Sequence, residues 1–217
     1  MNTFALPRCK LLLLFLATLV ALTGFAHAQN KGEPGKFDFY LLNLSWSPEF
    51  CSIQGTGPEC AAHPGFILHG LWPQNYDGTY PVSCEPTRPG PAHPEQNLDI
   101  TPDRSLLEHE WTKHGTCTTL APDAFFALEH TAFHSLAIPP LFSQLDHEIM
   151  MKPAEILTEF SKANPAFPPG SILLSCGNNR LTAIEACLSK DGLKPMRCQG
   201  LRDCRAQVVR ITPPTTK

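Results

Sequence analysis

The sequence predicts an α+β domain: a central, mostly antiparallel sheet packed against several helices and stapled by disulfides. Two observations carry this. Strand-like segments stand at both ends of the chain with helical segments between them, and the cysteine count becomes even once an export signal is removed. Segment 37–46 is aromatic and aliphatic, lacks Gly and Pro, and stops at Ser47-Pro48, as a buried strand does. Segment 65–72 is a second strand, closed by Pro73. Loop material with Asp77-Gly78 and several prolines follows up to Arg104.

Helices are predicted at 106–114, between Pro102-Asp103 and Gly115; at 123–135, after Pro122; and at 153–164, from a first-turn Pro to Pro165. Three or four helices are expected in all. Strands are expected at 171–176, 181–188 and 206–211, the first two joined by Gly177-Asn178-Asn179. Asn43-Leu44-Ser45 is a formal glycosylation sequon, but it lies inside the first strand and is read as chance.

Arg8 and Lys10 precede an apolar stretch, 11–26, that ends in Ala26-His27-Ala28. This is the pattern of a secretory signal with cleavage after Ala28. Thr18, Thr23 and Gly24 interrupt a run already shorter than the ~18–20 apolar residues of a membrane span. The reading is therefore a signal peptide over 1–28, a single domain over 29–217, a secreted or periplasmic destination, and no membrane attachment after cleavage.

The full chain has 17 Lys+Arg against 20 Asp+Glu, and losing Arg8 and Lys10 makes the mature domain more acidic still. That balance excludes a general polyanion binder. Cleavage also removes Cys9, leaving Cys51, Cys60, Cys84, Cys117, Cys176, Cys187, Cys198 and Cys204. An even set in an exported chain reads as four disulfides. No C-x-x-C pair points to zinc, and spacing alone does not choose the pairing.

The chemistry is concentrated in His109-Glu110-Trp111-Thr112-Lys113-His114-Gly115-Thr116-Cys117. At about 100° per residue, His109, Lys113, Glu110 and His114 share one wedge of about 140°. Leu107 and Trp111 fall beyond it, suited to packing, so the helix offers a polar edge to a cleft. The plain alternative is a solvated face with a Glu110–His114 pair worth only ~0.2–0.5 kcal/mol. Zinc is disfavoured: the spacing is H-E-x-x-x-H rather than H-E-x-x-H, and Lys113 would set a cation beside the metal.

His69, in His69-Gly70-Leu71-Trp72-Pro73, is structural if it stands alone. With a second histidine it acquires a function, because acid–base catalysis near neutral pH requires one group to take a proton and another to give one.

Together, Phe66-Ile67-Leu68-His69-Gly70-Leu71-Trp72-Pro73 and the segment from His109 to Cys117 resemble the paired active-site motifs of the ribonuclease T2 family. Their order, their spacing of about forty residues and the eight cysteines make the likeness specific, and it extends over nearly all of the mature chain. The resemblance implies a ribonuclease T2-like fold and a metal-independent endoribonuclease acting on single-stranded RNA. Transphosphorylation would give a 2′,3′-cyclic phosphate, hydrolysed later to a 3′-phosphate. It implies His114 as general base, His69 as general acid, Glu110 and Lys113 as the groups that stabilise the pentacoordinate phosphate, and His109 as a phosphate ligand.

By the same resemblance Trp72 and Tyr80 flank the first base, and Gln74 stands where several relatives carry an acidic or Asn side chain. An amide donates and accepts, so a broad base preference is expected. The implied disulfides are Cys51–Cys60, Cys84–Cys117, Cys176–Cys204 and Cys187–Cys198. No cofactor or metal is expected, and the protein is expected to act as a monomer. A binding or toxin-like protein with a decayed site is the alternative, but every ionisable position of both motifs is filled.

Overall fold

The computed structural model describes residues 32–62 and 65–214, so the expected signal peptide and its cleavage point lie outside the described residues. Among the described residues six strands form one sheet: β1 Phe39–Trp46, β2 Phe66–Gln74, β3 Ile149–Met151, β4 Ile172–Gly177, β5 Arg180–Ser189 and β6 Val209–Ile211. Their order is β2-β1-β5-β6-β3, with β4 also on β5. Every pairing is antiparallel except the short contact of β5 with β6.

β1 is hydrogen-bonded on both sides, and its alternation divides the molecule. Tyr40, Leu42, Leu44 and Trp46 enter the large core, whereas Phe39 and Leu41 join a small cluster with Cys187 on the other face. Antiparallel register carries that division across the sheet. Leu68 and Leu71 of β2, Ile184 and Ala186 of β5, and Leu174 of β4 share the core. Asn43, paired with Gly70 and Glu185, stands on the opposite face.

Among the described residues there are six α-helices: α1 Ser47–Gln54, α2 Pro58–Ala62, α3 Arg104–Lys113, α4 Pro122–Ser135, α5 Pro140–Ser143 and α6 Pro153–Ala163. This exceeds the three or four expected. The physical reason is proline, which opens five of them in the first turn. Pro48 ends β1 but equally begins α1, because a fixed φ and a missing N–H are both harmless at a helix start. Phe125, Phe126 and Ala132 of α4, with Ile156 and Phe160 of α6, cover the core face of the sheet. Each of the Phe and Ile side chains contributes roughly 1.5–3 kcal/mol on burial.

The β4–β5 hairpin turns at Asn178 and Asn179, whose φ values of 50° and 59° match the two left-handed residues of a type I′ turn. The disulfides join Cys51 to Cys60, Cys84 to Cys117, Cys176 to Cys204 and Cys187 to Cys198, the pairing implied by the family resemblance. No helix among the described residues is long and apolar enough to cross a membrane.

Candidate active site

The site is built where the edge strand β2 meets α3. Within β2 the register slips: Asn43 pairs with Gly70 but Leu44 pairs with Leu68, leaving His69 as the extra residue of a bulge. A bulge re-aims a side chain that strict alternation would send elsewhere. His69 Nδ1 lies 2.8 Å from Ser45 Oγ and Nε2 lies 3.5 Å from Glu110 Oε1. The outer edge of the bulged strand is held by Leu68 N–H to the Ile100 carbonyl, Thr101 Oγ1 to the Leu68 carbonyl, and Leu71 N–H to Glu129. Glu129 is fully buried, and that burial raises its carboxyl well above the ordinary range.

α3 begins at Asp103, whose carboxylate accepts from the Ser105 backbone N–H and hydroxyl. Leu107 and Trp111 bury its apolar side, and Glu110 is buried beside the cleft. Gly115, just past the helix end, is glycine for a packing reason, since a Cβ there would fall 2.4 Å from the Trp111 ring. His114 sits at the C-cap, and its N–H still bonds the Glu110 carbonyl, so the predicted wedge survives into the last turn.

Glu110 reaches across β2 at Gly70, where a Cβ would fall 2.2 Å from its Oε2. The Trp72 indole N–H donates to the same oxygen at 2.6 Å. His114 Nε2 lies 4.0 Å from Oε2, and its ring stacks on Trp72 with centroids 5.2 Å apart. One carboxylate thus has an imidazole near each oxygen. His114 is buried, and desolvation drives its pKa down to about 4, only partly countered by Glu110. Its Nδ1 is enclosed without a hydrogen-bond partner among the described residues. The ring is therefore neutral near pH 7 and able to accept a proton.

His69, His109, Glu110, Lys113 and His114, expected to do the chemistry, and Trp72, Gln74 and Tyr80, expected to receive the base, all line one cavity of about 400 Å³. Gln74 is buried in its wall, and Tyr80 is half exposed at its rim. A second hollow of about 390 Å³, lined by Ser45, Phe50 and Leu106, shares His69 and His109 with the first. The Cys84–Cys117 bond and the Ser83 N–H to Lys113 carbonyl bond fasten the loop after β2 to the end of α3. Among the described residues no set of three His, Cys, Asp or Glu could hold a metal ion.

Sequence reasoning missed Ser45, Glu129 and Glu185. Ser45 becomes meaningful only through cross-strand register. Glu129 did leave a signal, a carboxylate on the same helix face as Phe125, Phe126 and Ala132.

The family model of the ribonuclease T2 family matches residues 37–198. A ribonuclease of Aeromonas hydrophila is 34% identical over 195 residues, covering 87% of this chain and 89% of its own. Ribonuclease DdI of Dictyostelium discoideum is 28% identical, covering 79% and 82%. Among solved structures, ribonuclease MC1 from bitter gourd seeds superposes with a TM-score of 0.63 at 24% identity, over 80% of this chain and 99% of its own. These relatives define an endoribonuclease. The chain belongs to the ribonuclease T2 family.

Proposed function

We propose that this endoribonuclease cleaves single-stranded RNA by transphosphorylation, without a metal. His114, uncharged in its buried setting, takes the proton of the ribose 2′-hydroxyl as that oxygen attacks the neighbouring phosphorus. His69 gives a proton to the departing 5′-oxygen, with Ser45 orienting its ring and the Glu110 carboxylate 3.5 Å from Nε2. Lys113 has no carboxylate partner among the described residues, so its ammonium is available to the pentacoordinate phosphate, with His109 beside it. The 2′,3′-cyclic product is hydrolysed with the two histidines exchanging roles.

The observation that carries this reading is the pair of imidazoles flanking Glu110 in one cavity. The two hollows that meet at His69 and His109 fit nucleotides on either side of the cleaved bond, with Trp72, Gln74 and Tyr80 receiving the base on the 5′ side. Structures of ribonuclease MC1 variants hold 5′-GMP and 5′-UMP, and ribonuclease NT holds 5′-AMP, which supports a nucleotide in the corresponding cleft here.

The test is a defined single-stranded RNA incubated with the protein in EDTA, with the product ends identified. Cyclic phosphate is expected first and 3′-phosphate later. Either 5′-phosphate ends or abolition by the chelator contradicts the scheme. We further propose export as a monomer to an oxidising compartment, secreted or periplasmic, which four disulfides require. N-terminal sequencing of the mature protein is expected to begin at Gln29.

A further inference from the structure

The cleft face of the sheet continues past the acid–base groups. From Gly70, where Glu110 crosses β2, the register runs through Asn43 to Glu185, two strand spacings or about 9.6 Å away. That is on the scale of the span from a nucleotide's phosphate to the far edge of its base. Glu185 lies on the cavity wall with Ser175. Its Oε1 accepts from Asn43 Nδ2 at 3.1 Å and from Ser175 Oγ at 3.0 Å, while Oε2 accepts nothing among the described residues. Burial, with Asp203 contributing, raises this carboxyl above its ordinary range. A half-buried carboxyl with one idle oxygen is a poor structural element, since desolvation is costly unless hydrogen bonds offset it.

The wall is closed by the short loop between Cys198 and Cys204. Its ends are bonded to Cys187 of β5 and Cys176 of β4, and Asp203 accepts the Leu174 N–H. Gly200 and Gly78, both with positive φ, meet so closely that a Cβ on Gly200 would fall 2.5 Å from Gly78 N. This contact docks the loop on the turn before Tyr80 and brings Leu201 and Arg202 to the cavity. Arg202 forms no ion pair among the described residues and lends the wall a positive edge.

We propose that Glu185, with Ser175, determines base specificity by reading the Watson–Crick edge of the base on the 5′ side of the cleaved bond, in favour of guanine. The inference rests on the proposed RNA-cleaving function. The Ser175 hydroxyl donates its hydrogen bond to Oε1, so its oxygen and Glu185 Oε2 present two neighbouring acceptors. Guanine alone among the four bases offers two neighbouring donors there, N1–H and N2–H. Adenine and cytosine set one donor beside an acceptor, and uracil sets N3–H between two carbonyls. Gln74 both donates and accepts, so the bias originates at Glu185.

The experiment measures kcat/KM on GpA, ApA, CpA and UpA for the unmodified protein, Glu185→Ala, Glu185→Gln and Ser175→Ala, with melting temperatures alongside. The unmodified protein is expected to favour GpA. Glu185→Ala is expected to lose about tenfold or more on GpA and to change less than about twofold on ApA, the scale of one two-point base contact. Glu185→Gln, which adds a donor, is expected to shift the ranking toward ApA. Ser175→Ala is expected to weaken GpA selectively while leaving the carboxyl in place. An unchanged ranking, or an equal fall on all four substrates, overturns the inference while cyclic phosphate still forms. Absence of cleavage of every substrate by the unmodified protein overturns the underlying function, and the inference with it.

Discussion

Two polar clusters in this molecule treat charge in opposite ways. Where β5 begins, Arg180 meets Glu49, Glu148 and Thr212, Arg210 meets Glu148, and Thr212 donates to Glu49. Two cations and two anions compensate one another and tie α1 to β5 and β6. In the cleft, Lys113 and Arg202 lack carboxylate partners among the described residues, and His114 Nδ1 and Asn43 Oδ1 lack hydrogen bonds. Closed accounts of this kind hold a fold together. Groups left unsatisfied beside a cavity are those a ligand can complete.

The uncompensated cluster is most sensitive at its histidines. His69→Ala and His114→Ala are each expected to lower kcat/KM by about 10²–10⁴, the usual scale of a positioned acid or base, with the fold retained by circular dichroism. A loss below tenfold in either would show that the two imidazoles beside Glu110 are not the reacting groups. Lys113→Ala comes next, with about 10²–10³ lost in kcat if its ammonium faces the developing phosphorane. Its melting temperature should hold, because no ion pair is broken.

Cys84→Ala touches both stability and catalysis. The bond closes a sequence separation of 33 residues, worth about 3–4 kcal/mol in the chain-entropy model, and it fastens α3 to the loop that carries Tyr80. Both melting temperature and turnover are expected to fall. Unchanged values of each would remove the bond from the catalytic account.

How much of this was legible before folding is considered follows from the range of each interaction. β1, β2, α3, α4, α6 and the β4–β5 hairpin are written in local periodicity and in first-turn prolines. α1 was not, because Pro48 signals a strand end and a helix start alike. The wedge of His109, Glu110, Lys113 and His114 is a property of one helix and could be drawn from angles alone. The bulge at His69, the Glu129 cap on Leu71 and the alignment of Asn43 with Glu185 depend on register between distant segments, which no local pattern encodes. Gly70 stands between these cases: its place in the motif was visible, but its reason, the approach of Glu110, was not.

Smaller effects are expected on the compensated side. Arg180→Ala leaves the buried Glu49 with Thr212 alone, so the melting temperature should drop by about 2–4 °C per kcal/mol lost. Activity should stay within about twofold, and a larger loss would make that cluster part of the site. His114 also has a linkage signature. Its folded pKa of about 4 is below the ordinary 6.5, so the unfolded chain binds the extra proton between those values. Stability is therefore lost as pH falls through that window, more in the unmodified protein than in His114→Gln. Parallel melting curves for the two would contradict the buried, neutral state.

Proton transfer to a neutral His114 is the step on which the chemistry turns, and the pH dependence of kcat/KM on a dinucleotide reads it. Activity should hold from neutral pH down to about pH 5 and fall below about pH 4 as His114 gains a proton. A rate that stays level down to about pH 3, or one that already falls below about pH 6.5 as an ordinary imidazole would make it, would contradict the account.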